Sequence, residues 1–491
     1  MNGDLSRVTF DQLKHYTRVV TQQGRVQLDA DANEQIAILL HYLQTLAADL
    51  IGPHGGPADI IQGGALERRN NGFAIIGARA EFIDKDPIIG AAEKAELKKL
   101  ADAAKSQFLI ASGRYYVDGW LCENETNIPY NRQPDNPLRK EETVLDPGSY
   151  LVYLDAWERS ITSLEDPSIR EVALGGADTA ARTKLIWQVR VNRISIGDPP
   201  ADCTEFDPSL MSGLQPSNRG RIQAKAKEDA GVDDESPCTI SPDARFRGRE
   251  NQLYRVEIHH GGPAVKSGSE APATFKWSRD NGTIVAPIKK KIGDDLIVNG
   301  LRDASRWFTA GNWVEITHDA LELTGRPGTM VRLLTVQGET LAIDPKTTSE
   351  TVYDPQSTFN GLPPAKVKVR RWDQQMQEHP LRDGTIPITE GEWIELEDGV
   401  MIRFEKDSDA QYRTGDYWLI PARASTGDVE WPTAALKPGN LGEATIEAQA
   451  LAPHGVEHHY APLAAITVDG GTVTKVVDLR HEFRAAGVCR K

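Results

Sequence analysis

The chain has 491 residues, of which 39% are hydrophobic and 26% charged, and its net charge is -15 at pH 7. This composition indicates a folded protein of about three domains and excludes a disordered chain. The acidic balance argues against a nucleic-acid partner, because phosphate binding needs a basic surface. The first residues lack the apolar core of a secretory signal, and the apolar stretch 36–51 is too short to cross a bilayer. We therefore expect assembly in the cytoplasm and no direct membrane insertion.

The N-terminal region, residues 1–105, is predicted to be mainly helical. Either Asp29 or Asp31 can cap a helix. Apolar residues follow at helical spacing and form one face: Ile36, Leu39, Leu40, Leu43 and Leu46. Glycine and proline at 52–56 end this helix. A second helix is predicted over 91–104, which is rich in Ala, Glu and Lys.

From residue 106 the pattern changes to strands. β-Branched and aromatic residues are enriched in five stretches, namely 108–124, 150–162, 184–196, 253–262 and 274–288. The last contains Asn281-Gly282, which predicts a tight hairpin turn. We assign 106–300 to a main β domain, in which the polar segment near 200–250 is predicted to be mostly loop.

The C-terminal part contains a short internal repeat. GNWVEITHD (311–319) and GEWIELEDG (391–399) share a glycine, a tryptophan and alternating aliphatic residues. They predict two similar small β modules within 301–440. The final segment, 441–491, carries a predicted hairpin at Asp469-Gly470-Gly471 and returns to the body.

Together these elements predict an α+β protein that is predominantly antiparallel β. A helical N-terminal region precedes several small modules that resemble β-sandwiches or β-barrels. The βαβ alternation that accompanies parallel sheets does not occur.

The four cysteines lack the CxxC spacing of a zinc ribbon. Cys203 and Cys238 flank the polar insert and could close it as a disulfide. Free thiols are the other interpretation.

Three histidines, His454, His458 and His459, are weak candidates for metal ligands. On a helix, His454 and His458 would share a face. Pro453 and Gly455 disfavour a helix there, and the H-E-x-x-H motif is absent, so hydrogen-bonded structural histidines are the favoured interpretation. The sequence contains no Walker motif, no dinucleotide-binding glycine motif and no G-x-S-x-G elbow. We predict no catalytic residue, no cofactor and no enzymatic activity.

Cations stand beside tryptophans in 276–279 (KWSR) and 370–372 (RRW). Neighbouring residues of a strand point to opposite faces, so we expect the tryptophans to be buried and the cations exposed. Among 71 acidic residues, no pair is marked as a glycosidase pair.

The N-terminal stretch GDLSRVTFDQLKHYTRVVTQQGRVQLDADANEQ resembles the signature of a family of unknown function. Genes of that family lie beside those of contractile injection systems. The resemblance continues in four later stretches, namely 157–191, 250–282, 412–432 and 453–464. One departure is Ala32, where many members of the family have tryptophan. The element at 111–120 is similar to a turn-and-strand unit of tail and baseplate proteins.

This resemblance implies a structural component of a phage-tail-like particle, at the baseplate or in a cage around it. The expected partners are further copies of the chain, as a trimer or hexamer, and baseplate, spike or sheath proteins. Such particles assemble in the cytoplasm and are then released or anchored at a membrane. The alternatives are a fibre-like module that binds surfaces or glycans and, less favoured, a carbohydrate-active enzyme.

The single apolar face of the first helix predicts that residues 1–50 dock on the β body or on a neighbouring subunit. Within this region we predict seven assembly residues, namely Arg7, Phe10, Tyr16, Gln23, Arg25, Asp29 and Asp31.

Overall fold

The computed structural model describes residues 6–62, 65–85, 91–104, 106–137, 142, 144–194, 206–214, 218–228, 245–265, 272–299, 307–355, 366–375, 382–435 and 446–484. These residues form two compact bodies. The first body contains residues 6–159, 183–214 and 457–484, and the second body contains 160–182 and 218–456.

The described residues contain four α-helices: α1 (Asp29–Ile51), α2 (Ala80–Lys85), α3 (Ala91–Ala104) and α4 (Asp319–Leu323). Both predicted helices are confirmed, as α1 and α3. None of the helices in the described part of the chain combines the length and apolar character needed to span a bilayer.

The strands of the first two hundred residues are β1 (His54–Pro57), β2 (Asp59–Gln62), β3 (Ala65–Arg69), β4 (Ile75–Gly77), β5 (Phe108–Ile110), β6 (Gly113–Val117), β7 (Trp120–Asn124), β8 (Ile128–Pro129), β9 (Gly148–Ile161) and β10 (Arg182–Arg193). Those up to residue 350 are β11 (Ile222–Ala226), β12 (Gln252–His260), β13 (Thr274–Ser278), β14 (Val285–Ile292), β15 (Asp295–Val298), β16 (Trp313–Thr317), β17 (Thr329–Gln337) and β18 (Thr340–Asp344). The remainder are β19 (Lys368–Trp372), β20 (Ile386–Pro387), β21 (Trp393–Glu395), β22 (Val400–Phe404), β23 (Tyr417–Arg423), β24 (Asp428–Val429), β25 (Thr433–Ala435), β26 (Ile446–Ala448), β27 (His459–Asp469), β28 (Thr472–Asp478) and β29 (Glu482–Phe483).

The first body is organised around two four-stranded sheets, ordered β29-β1-β6-β7 and β10-β9-β27-β28. β27 pairs antiparallel with β9 from His459 opposite Ala156 to Val468 opposite Gly148. Eight consecutive residues of β9 are buried, because both faces of this central strand are covered. The predicted C-terminal hairpin is confirmed: Gly470 and Gly471 both have positive φ between β27 and β28.

The second body contains a closed barrel, ordered β14-β15-β18-β17-β16-β19, and a five-stranded sheet, ordered β20-β13-β12-β23-β24. A three-stranded sheet, β11-β22-β21, shares the core of the five-stranded sheet, which includes Phe275, Trp277, Phe404 and Trp418. In the described part of the chain most strand pairs are antiparallel, whereas β1 and β29 pair in parallel. The predicted α+β class with β-rich modules is therefore confirmed.

Several predicted boundaries differ from the structure. The region 54–77, expected to belong to a helical domain, contains β1 to β4. β1 and β4 pair with β6 and β5, which come more than 30 residues later, so local periodicity could not reveal them. The polar segment near 200–250 contains β11 besides loop.

Asn281 and Gly282 form the predicted turn, but the prediction of a hairpin is wrong. Both residues have positive φ, and Thr283 donates its N–H to the Asp280 carbonyl at 2.9 Å. The strands on either side do not pair with each other: β13 pairs with β12 and β20, and β14 pairs with β15 and β19. The turn therefore carries the chain from the five-stranded sheet into the barrel.

The two repeat copies are similar only locally. Each begins with a glycine of positive φ, Gly311 or Gly391, and continues into a strand led by Trp313 or Trp393. The first copy is the fully buried barrel strand β16, and the second is the half-buried edge strand β21. The region 301–440 therefore does not form two similar modules, since the barrel begins at Val285.

The predicted disulfide partners, Cys203 and Cys238, lie outside the described residues. Cys122 is a buried free thiol in the core of the first body. Burial raises the pKa of this thiol to about 12.

Candidate assembly site

Helix α1 carries an exposed apolar stripe, which we define as Ile36, Leu39, Leu40, Leu43, Leu46 and Leu50. These side chains retain 39–77% of their accessibility. Their spacing places them on one side of the helix, as predicted. The buried residues of α1 are Ala30 and Ile38, which belong to the opposite side. The predicted apolar face therefore points away from the first body.

The segment before α1 contacts the flanks of the helix and leaves the stripe open. The Thr9 hydroxyl donates to the Glu34 carboxylate at 2.6 Å, and the Val19 N–H donates to the Gln35 side-chain oxygen at 2.8 Å. Also away from the stripe, the turn of the β6–β7 hairpin approaches the helix at Gly119, which has φ +82. A Cβ atom there would lie 2.4 Å from the Gln44 carbonyl oxygen, so this close approach requires glycine.

Most of the seven predicted assembly residues are accessible. Five are exposed, namely Arg7, Tyr16, Gln23, Arg25 and Asp29. Phe10 is half-buried, with its ring centroid 5.7 Å from that of His41. Asp31 accepts the N–H of Leu28 at 3.4 Å, so it caps α1 from the third helical position. The stripe residues themselves were not among the seven, although the seven-residue spacing of Ile36, Leu43 and Leu50 was visible in the sequence.

The candidate metal ligands His458 and His459 make separate hydrogen bonds in the first body. His459 Nδ1 lies 3.0 Å from Asp118 Oδ2, and its Nε2 accepts the indole N–H of Trp120 at 3.0 Å. His458 Nδ1 lies 2.5 Å from Asp155 Oδ1. Both side chains thus have carboxylate partners of their own.

His454 belongs to the second body, where its carbonyl accepts the N–H of Tyr417 at 2.8 Å. Residues 454–458 are not helical, so the helix face that would bring His454 and His458 together does not form. The three histidines are therefore placed as separate structural groups.

A buried ionic cluster in the second body joins the five-stranded sheet to the barrel. Lys276 of β13 lies 2.6 Å from Glu315 of β16 and 3.3 Å from Glu257 of β12. Glu257 also pairs with Arg255 at 2.6 Å. The ammonium of Lys276 lies 4.4 Å above the ring of Trp372, whose N–H donates to Glu315 at 3.0 Å. Each charge thus has at least one partner of opposite sign.

This cluster corrects the expectation for the cations beside tryptophan. Trp277 and Trp372 are buried as predicted, but Lys276 and Arg370 are buried too. Burial alone would raise the pKa of Glu315, but nearby Lys276 outweighs it and holds the pKa below its ordinary value. Both faces of these strands are covered, so alternation does not expose the cations. The sequence signal was an acidic residue within an apolar strand, as in WVEIT.

A second acidic group surrounds a lysine. In the described part of the chain, Glu165, Asp319 and Glu322 are the carboxylates whose oxygens converge within 4.8 Å of one another. The Lys368 ammonium pairs with Glu165 and, at 2.8 Å, with Glu322. Burial lowers the pKa of Lys368, but these two carboxylates outweigh it and raise the pKa above its ordinary value. The positive charge of Lys368 thus neutralises part of the carboxylate charge, as a bound metal ion would.

The chain was also compared with known proteins. A model described as "Family of unknown function (DUF6519)" matches residues 1–199 and 217–477. Neither a curated protein nor a solved structure is significantly similar to the chain. Because the family model covers nearly the whole sequence, the protein belongs to this family of unknown function, DUF6519.

Proposed function

We propose that the protein is a structural, non-enzymatic component of a phage-tail-like contractile injection particle, joined to neighbouring subunits through α1. The observation that carries the proposal is the stripe: six large apolar side chains on one helix face, exposed in the single chain. Apolar surface of this kind on a folded protein marks an interaction site. The N-terminal resemblance to a family encoded beside contractile injection systems supports the kind of assembly.

The energy available from the stripe is moderate. Fully burying one aliphatic side chain contributes about 1.5–3 kcal/mol, so covering the exposed half of six contributes roughly 5–9 kcal/mol. Association itself costs at least about 4 kcal/mol, so one such contact is weak alone. Repeated contacts within a particle strengthen it, because later contacts form at a high effective concentration. This balance suits a subunit of an ordered assembly.

Within the particle we place the protein at the baseplate or in a cage around it, assembled in the cytoplasm. Its partners there are further copies of the chain and baseplate, spike or sheath proteins. Charge supports protein neighbours over nucleic acid, since the net charge of -15 repels phosphate.

The test is incorporation into particles sedimented from the organism that encodes the chain. Leu43→Glu places a charge at the centre of the stripe, and Leu39→Glu/Leu46→Glu places two. Thr45→Glu is the matched control, because Thr45 is exposed on the opposite side of the same helix. All three replace exposed residues with a good helix former, so folding should be retained. The chain is quantified against sheath and tube proteins by mass spectrometry.

We expect the stripe variants to be absent from sedimented particles and the Thr45 variant to be present at the wild-type ratio. Equal incorporation of all variants would refute attachment through α1. Failure of the wild-type chain to sediment with sheath and tube would refute the particle assignment. Saturable glycan binding by such a free chain would then favour the fibre-like alternative.

A further inference from the structure

We infer that the stripe of α1 is covered by the same stripe of further copies of this chain, in a bundle of three or more helices. The inference rests on the proposed function, in that it names the partner of the same surface. It follows from the spacing, the charge and the width of the stripe.

The spacing is that of helices packed side by side. Ile36, Leu43 and Leu50 recur every seven residues, and Leu39 and Leu46 lie three residues after the first two. In heptad terms these are a and d positions, whose side chains interlock with those of a neighbouring helix. The stripe runs for 15 residues, about 21 Å of helix. Over this length a straight helix keeps an a/d seam on one side, since the drift is only about 20° per heptad.

The charge of the seam favours an identical partner. The flanking e and g positions are uncharged except for Asp49, and they hold Asn33, Gln35, Leu40, Tyr42 and Ala47. Copies of a chain with net charge -15 repel one another over most surfaces. Two copies of α1 that pack along these positions bring almost no like charges together. A strongly charged partner would meet almost no opposite charge at these positions.

The width of the apolar face favours more than two copies. With about 120 Å² of apolar area per fully buried aliphatic side chain, the exposed fractions amount to roughly 400 Å² per copy. A pair would therefore bury about 800 Å² of apolar area, which together with a polar rim corresponds to a small stable interface. Leu40 and Ala47, both at e, widen the apolar face to the three positions per heptad that suit a multi-helix bundle. Three or more helices around one axis cover such a face.

The first measurement is the mass of the purified full-length chain by sedimentation velocity at micromolar concentrations. We expect a trimer or larger oligomer for the wild type and for Thr45→Glu, and a monomer for Leu43→Glu. A wild-type monomer or strict dimer, or an oligomer that survives Leu43→Glu, overturns the inference.

Crosslinking then locates the contact. Leu43 is the midpoint of the stripe, so its counterpart lies opposite whether the helices run parallel or antiparallel. In a chain whose four native cysteines are replaced by alanine, Leu43→Cys should form an intermolecular disulfide under mild oxidation, which requires Cα atoms within about 7 Å. Thr45→Cys is the control and should stay reduced. Equal crosslinking at both positions, or none at Leu43, contradicts a helix seam.

The inference and the proposed function can fail separately. If the wild type is monomeric yet Leu43→Glu is lost from particles, the stripe binds a different particle protein and only the inference is wrong. If Leu43→Glu breaks the oligomer yet enters particles normally, the inference holds and attachment through α1 is wrong.

Discussion

Replacing Glu315 with leucine should strongly destabilise the second body, because this carboxylate satisfies three buried donors. Lys276 lies 2.6 Å from it, the Trp372 indole N–H donates at 3.0 Å, and the Gly328 N–H donates at 3.0 Å. Leucine fills a similar volume but accepts no hydrogen bond. Lys276 would keep only Glu257 at 3.3 Å, and the other two donors would be unpaired.

The expected loss follows from the burial of these groups. Removing one partner of a buried ion pair costs about 3–5 kcal/mol, mostly because a charge is left uncompensated. Each unpaired donor alone costs about 1–3 kcal/mol, and these terms overlap, since they share one acceptor. For a body of roughly 250 residues, 1 kcal/mol shifts the unfolding midpoint by about 2–4 °C. We therefore expect the midpoint to fall by about 6–20 °C.

Differential scanning calorimetry measures this midpoint, with Glu228→Gln as the control in the same body. The pair of Glu228 with Lys225 is exposed, with 76% of the glutamate side chain accessible, and such pairs contribute at most about 1 kcal/mol. A shift for Glu315→Leu no larger than that of the control would show that the buried cluster does not stabilise the fold. An increase in the midpoint would have the same meaning and would indicate that leucine packing outweighs the ion pair.

Four further predictions concern single residues. Burial raises the pKa of Glu397 to about 7 from 4.5, so the native state binds more protons than the unfolded state and the free energy of unfolding falls as pH rises between these values. Glu397→Gln should remove up to about 3 kcal/mol of this fall, measured by urea unfolding at several pH values. An unchanged dependence of the free energy of unfolding on pH would refute this prediction. Lys368→Met removes the buried cation that pairs with Glu165 and Glu322 and should cost about 3–5 kcal/mol in urea unfolding, so a loss below 1 kcal/mol would contradict the pairing. Cys122 should resist alkylation until the chain is unfolded, as peptide mass spectrometry would detect, since burial raises the pKa of its thiol to about 12. Gly119→Ala should lower the unfolding midpoint and speed amide hydrogen exchange in α1. Gly470→Ala is the control, because Gly470 also has positive φ but no atom lies near the added Cβ, and it should lower the midpoint only slightly. Equal effects of the two variants would refute the close approach of Gly119 to α1.

Local pattern predicted part of the secondary structure, including α1, α3 and the C-terminal hairpin. The apolar spacing after Asp31 gave the position of α1, and the Ala, Glu and Lys content of 91–104 gave α3. The Gly470-Gly471 turn was predicted with the correct pairing, because adjacent strands joined by two residues have few other partners. These features depend on residues close in the chain.

Partners distant in the chain could not be predicted. Asn281-Gly282 has the conformation of a hairpin turn, yet β13 and β14 enter different sheets. Each pairs with the strand next to it on its other side in the chain, β12 or β15, and with one distant strand, β20 or β19. The same limit concealed the cluster around Lys276. Its carboxylates belong to Glu257 and Glu315, and only the folded sheets bring them within 3.3 Å of the Lys276 ammonium.

Periodicity also could not tell which way the apolar face of α1 points. It shows that Leu39, Leu43 and Leu46 share a face, and a core or a second subunit accounts for such a face equally well. The direction is decided by the other side of the helix, where Gln44 meets the backbone of Gly119 and Glu34 accepts from Thr9. Those polar and glycine contacts are too specific in geometry to be inferred from composition.

The way α1 is held bears on how its stripe can work. Helices in proteins owe most of their stability to tertiary packing, so an unattached segment would have to fold as it binds and would lose affinity to that ordering. Here the contacts at Gly119 and Glu34 fix the helix on the first body from one side and leave the seam open on the other. The loss of conformational entropy on ordering α1 therefore occurs when the single chain folds, before any partner binds. A modest apolar area can then support a specific interface, because less of its binding energy is spent on conformation.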